Sequence, residues 1–124
     1  MGKSVHNNVL DGALNVVVNS ADHMNVCQAA PTSFAEAVDT YRIATTPMSD
    51  GSYGVGDGDS SGRKCSVHQV ADISVLSTEN ANHIALVNST GSVVLYVTTC
   101  TSQDLTQGNT VTINSWDIEI ADPT

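Results

Sequence analysis

Residues 83–97 read His83-Ile84-Ala85-Leu86-Val87-Asn88-Ser89-Thr90-Gly91-Ser92-Val93-Val94-Leu95-Tyr96-Val97. Two apolar runs rich in β-branched residues flank a short Asn/Ser/Thr/Gly segment, a pattern that predicts an antiparallel hairpin. Downstream, Val111, Ile113, Trp116, Ile118 and Ile120 mark one alternating strand over 110–120. Upstream, Lys64 to Val70 alternates, with Cys65, Val67 and Gln69 on one face, and Ile73, Val75 and Ser77 mark the next strand. At least five strands at this spacing predict a mainly β chain. The expected architecture is an antiparallel β-sandwich, Ig-like or jelly-roll-like. Its core anchors are read as Leu86, Leu95, Ile113, Trp116 and Ile118, joined by Leu14 from a packed helix.

That helix is expected over residues 8–20. Val9, Leu10, Ala13, Leu14, Val17 and Val18 recur at helical spacing, with Asn15 and Asn19 opposite. Asn7 or Asn8 can cap it, and Asp11 suits the positive end of the helix dipole. Residues 1–7 form a polar arm before it. Met24 to Ala29 is a strand candidate ended by Pro31. Ser33-Phe34-Ala35-Glu36 fits a reciprocal capping box opening a short second helix, Phe34 to Thr40. Tyr41 to Thr45 reads as extended. Residues 49–62, rich in Gly, Ser and Asp, read as an exposed loop or a wide hairpin. The chain is therefore read as one domain, 1–124, with the sandwich over 21–124.

The chain carries four Lys and Arg against 13 Asp and Glu, for a net charge of −9, and no cation follows Lys64. Binding to nucleic acid needs clustered cations to neutralise phosphates, so neither nucleic acid nor an anionic membrane is an expected partner. The apolar runs are far shorter than a membrane span. The first residues lack the apolar region of a secretory signal, and a myristoylation pattern fails at its sixth position. Cys27, Cys65 and Cys100 are isolated and odd in number, which predicts free, mostly buried thiols; an inter-subunit disulfide is the alternative.

Candidate chemistry is sparse. Asp57-Gly58-Asp59-Ser60-Ser61-Gly62 resembles the first half of a calcium loop, but His68 stands where the bidentate acid belongs, so a tight turn is the expected role. His6, His23, His68 and His83 never adopt zinc-ligand spacing. Ser residues occur without a nucleophile elbow, and the glycines around Gly56 lack the strand–turn–helix setting of a phosphate loop. Asn88-Ser89-Thr90 has the form of a glycosylation sequon and reads as a turn. The expectation is no metal, no cofactor and no enzymatic activity. A small hydrolase or metal enzyme is the contrasting class, requiring a His/Asp/Cys site that spacing does not reveal.

The segments Lys3–Asn15, Cys27–Thr32, Asp57–Lys64, His83–Val87, Leu95–Cys100, Asn109–Ile113 and Trp116–Ile120 together resemble small structural proteins of tailed-bacteriophage virions. The resemblance implies a β-sandwich subunit without catalysis, made in the host cytoplasm and carried in many copies on the particle. A capsid decoration (cement) protein on the outside of the major capsid shell is the first expectation. The second is a tail-, fibre- or head-spike-associated protein that touches the host. Expected partners are the major capsid protein or other virion proteins, and further copies of the chain, a trimer among the options. The residues expected at such contacts are Lys3, Val5, His6 and Asn7 of the arm, and Tyr53 of the glycine-rich loop.

Overall fold

A computed structural model describes residues 3–123, and the fold is mainly antiparallel β. The helix α1 spans Asn7–Ser20 and buries Leu10, Leu14 and Val17 on one stripe. Val9 and Ala13, expected inward, lie on the solvent side because the buried stripe is narrower than the apolar pattern. Its cap is His6, whose Nδ1 accepts from Asn8 N at 3.1 Å, so the arm ends one residue earlier than expected and Asn7 is already helical. Asp11 sits beyond the first turn and pairs with Arg63 instead of the helix end.

Nine strands follow among the described residues. β1 (His23–Cys27), β2 (Arg42–Pro47), β6 (Glu79–Asn88) and β7 (Val93–Leu105) form a four-stranded sheet in the order β2-β1-β6-β7. β3 (Tyr53–Asp57), β4 (Arg63–Val67) and β9 (Trp116–Ile120) form a second sheet, and β5 (Val70–Ser74) pairs with β8 (Thr110–Ile113). The main core lies between these layers. Met24, Val26, Ile84 and Leu86 from the first sheet meet Cys65, Val67 and Ile118 from the second, Ile73 and Ile113 from the third, and Leu14 and Val17 of α1. The arrangement is sandwich-like, with β6 and β7 joined by the expected hairpin.

β1 is covered on both faces. Met24 and Val26 point to the main core, while Cys27 packs with Ala37, Ala85 and Val87 beneath the 33–41 segment. That segment holds the predicted short helix in another form. Ser33 Oγ accepts from Glu36 N, but Glu36 reaches back to Thr32, and residues Glu36–Thr40 make a π-helical turn closed by Tyr41 N to Glu36 O at 2.8 Å.

Two expectations are corrected and one is decided. Of the two readings of 49–62, the hairpin holds: the stretch contains a 3₁₀ turn (Asp50–Ser52) and the whole of β3, paired antiparallel with β4 and closed by Gly58 N to Gly62 O at 2.9 Å. Gly62 has φ +71°, and a Cβ there would strike the Ile120 carbonyl, so the turn requires glycine. The predicted single strand 110–120 is two strands in different sheets, because Asn114 and Ser115 shift the inward parity from odd to even positions. Gln69 falls outside β4 and is exposed.

Candidate functional site

The two main sheets leave one flank open. β7 is the edge of the first sheet and β9 the edge of the second, and between them, with Val111 and Ile113 of β8 as a third wall, lies a half-open cavity of about 430 Å³. Val26, Ile84 and Leu105 form apolar parts of its lining, Thr98, Thr101 and Gln103 are among its polar groups, and Cys100 and Trp116 also line it. Tyr96 of β7 stacks on Trp116 of β9, with ring centroids 5.9 Å apart and planes at 29°, tying the two edges together. The Trp116 Nε1–H is buried and has no acceptor among the described residues. A buried donor left in this state is destabilising until an acceptor or water reaches it.

β7 is unusual as an edge. It runs for 13 residues, contains neither Lys, Arg nor Pro, and carries one charge, Asp104. Among the described residues no backbone hydrogen bond reaches it other than those to β6. The opposite edge of the same sheet, β2, is covered: Leu76 N donates to Ile43 O at 2.7 Å and Val75 bridges Ala44. Proteins usually guard long edges with charge, proline or a covering segment, and β7 has none of these devices apart from its bulged register with β6.

The predicted anchors divide. Leu14, Leu86, Ile113 and Ile118 are in the core. Leu95 and Trp116 are only partly buried, because both sit on edge strands whose inward face is incompletely closed. Of the predicted contact residues, Lys3, His6 and Asn7 are exposed and Val5 is half-buried. Tyr53 is corrected: it is 6 % exposed and packs in the core, where its hydroxyl donates to the Ala21 carbonyl at 3.0 Å. It thereby pins the C-terminal end of α1 to β3. Burial pushes its phenol well above the ordinary tyrosine range.

The acidic turn is an ion-pair cluster. Arg63 bridges Asp11 and Asp57, both at 2.7 Å, and Lys64 holds Asp59 at 2.7 Å and Asp117 at 3.5 Å. These bonds raise both cations' affinity for their protons. Asp57 and Asp59 are therefore occupied by cationic side chains of the next strand.

One grouping escaped sequence reading. Asp22, His23 and Ser89 meet although Ser89 is 67 residues from Asp22. Asp22 Oδ1 lies 3.0 Å from His23 Nδ1, Ser89 Oγ lies 3.2 Å from the same nitrogen, and Ser89 N donates to both Asp22 oxygens. Partial burial pushes the Asp22 carboxyl up, but the hydrogen bonds from Ser89 and His23 outweigh it and hold the group below the usual carboxylate range. A hydrolytic triad needs the acid on one ring nitrogen and the serine on the other. Here both share Nδ1, so the ring cannot relay a proton from Ser89, and the cluster acts as a clasp at the turn of the β6–β7 hairpin. His68 and His83 are likewise engaged locally, His68 beside Gly51 O and His83 beside Asn82 Oδ1.

All three cysteines are free; Cys27 and Cys65 are buried and Cys100 is partly buried. Burial, with a smaller push from Cys100, raises the Cys27 thiol to about 11. Compared with family models, curated proteins and solved structures, the chain matches none.

Proposed function

We propose that the chain is a non-enzymatic structural subunit that works by assembling through its open flank. The single observation that carries the reading is β7, a long, nearly uncharged edge strand with no covering segment among the described residues. Such an edge accepts another strand by main-chain hydrogen bonding, and the adjoining cavity offers pockets for alternate side chains of that strand. A neighbour inserting an acceptor near Trp116 would also satisfy its orphaned indole donor. Taken with the resemblance in the sequence to tailed-bacteriophage virion proteins, this makes a capsid decoration protein the leading reading. It would sit as a homo-oligomer outside the major capsid shell. The host-contact alternative loses support with Tyr53 in the core and the carboxylates of Asp57 and Asp59 held by Arg63 and Lys64.

The experiment is mass measurement of the purified protein in solution beside a double variant, Thr99→Lys with Thr101→Lys, which places charge at exposed positions of β7. The expected result is a multiple of the 12.9 kDa chain for the parent and a single chain for the variant, with the circular dichroism of the folded chain retained in both. A parent that stays monomeric at high micromolar concentration, or a variant with the parent's mass, overturns the reading. Hundreds of copies on the head of a particle would separate decoration from a tail or fibre role.

A further inference from the structure

The first sheet carries a second cavity, of about 200 Å³, on the face away from the main core, where the 33–41 segment packs over β1, β2 and β6. Its base is internally satisfied. Asn25 is buried, accepts from Thr45 Oγ1 and donates to the Ala37 carbonyl at 3.0 Å. What remains is an uneven lining, with Arg42, His23 and Ser89 as polar groups and Phe34, Val38 and Val87 as an apolar wall.

Arg42 is the informative residue. The chain has four Lys and Arg against 13 acids, and Arg63 and Lys64 each hold two carboxylates. Arg42 makes no ion pair among the described residues, although opposite charges are in large excess. A guanidinium presents a planar fork of N–H donors that fits a carboxylate with two parallel hydrogen bonds. His23 is held from the other side. Asp22, an acceptor only, engages Nδ1, which leaves Nε2 as the ring's available nitrogen. Val38 stands on the π-helical turn, a backbone form often found beside binding sites.

We infer that this cavity binds a carboxylate bearing a short apolar group. Arg42 holds the carboxylate, and Phe34, Val38 and Val87 cover the apolar part. Phosphate fits worse, because its second charge would face the apolar wall with one permanent cation to meet it. Monocarboxylates of this size bind weakly, with a Kd on the order of 1 mM. The site is independent of the open flank beside β7, so assembly and carboxylate binding can each fail alone.

The test is titration of the ¹⁵N-labelled protein with butyrate, acetate and inorganic phosphate at constant ionic strength, followed by amide shifts. Butyrate is expected to give saturable shifts confined to residues 23–25, 34–45 and 87–89, and to bind more tightly than acetate or phosphate. Arg42→Gln should weaken butyrate at least about tenfold. Phe34→Ala should weaken butyrate by a larger factor than acetate, which separates the wall from the charge and serves if Arg42→Gln does not fold. Absence of saturable shifts, an Arg42→Gln protein that binds like the parent, or phosphate binding at least as tight as butyrate overturns the inference.

Discussion

Leu86→Ala probes the centre of the fold. Leu86 is fully buried, on a strand flanked by β1 and β7, and opposite Met24 across the β1–β6 pair. The substitution removes a branched apolar group equivalent to about three methylenes, and at about 0.8 kcal/mol each the lost transfer energy is about 2.4 kcal/mol. The layers on both sides are fixed by hydrogen-bonded strands and can collapse only in part, so a cavity term adds about 1 kcal/mol or more. A loss of about 3–4 kcal/mol follows. With an unfolding entropy of about 2.1 cal/mol/K per residue over the 124 residues, melting should fall by roughly 12–15 °C. The assay is thermal and urea unfolding followed by circular dichroism, with an unchanged urea slope expected. Leu76→Ala serves as the control, since Leu76 is 44 % exposed and should move stability by less than about 0.5 kcal/mol. A Leu86→Ala protein that melts within a few degrees of the parent, or no lower than the control, would refute the placement of Leu86 between packed layers.

Two further outcomes follow from the chemistry of individual groups. Native labelling with a thiol reagent at pH 8 should reach no site beyond Cys100, with all three cysteines reacting after denaturation, because Cys27 and Cys65 are buried and Cys27 stays protonated to about pH 11; rapid native loss of all three thiols, read by intact mass, would contradict this burial. The Asp22 carboxyl is depressed in the folded state, so its stabilisation is complete above the ordinary value of 3.8 and is lost as pH falls through the lower folded value. Asp22→Asn should therefore be less stable than the parent near neutrality, and the two stability curves should converge below about pH 3.8, as measured by urea unfolding across pH.

The hairpin at 83–97 and the helix stripe of Leu10, Leu14 and Val17 were legible because both obey a side-chain period that burial imposes. β3 was hidden by Gly54 and Gly56, which have no side chains and so erase alternation. Gly54 instead leaves room for the His68 ring, 3.4 Å from where its Cβ would stand. Tyr53, placed among glycines, reads as a loop aromatic, and only the pairing of β3 with β4 turns it inward. The break between β8 and β9 was written in the sequence as a slip of parity at Asn114-Ser115, and a strict test of phase would have found it. Trp116 looked like core because its strand alternates, and Leu95 because it stands in an apolar run, yet neither pattern says how completely a face is covered. The Asp22–His23–Ser89 clasp and the lone Arg42 depend on contacts between distant segments, which local pattern cannot reveal.

The distribution of charge has a consequence for how two molecules meet. Arg63 and Lys64 neutralise carboxylates at one end of the second sheet, while β7 along another side is almost free of charge. Most directions of encounter therefore bring like signs together, over a range set by a screening distance of about 8 Å at physiological salt. The quiet flank is the approach with the least repulsion, so dilute buffer would act as a filter on orientation, and added salt would relax that selectivity along with the barrier.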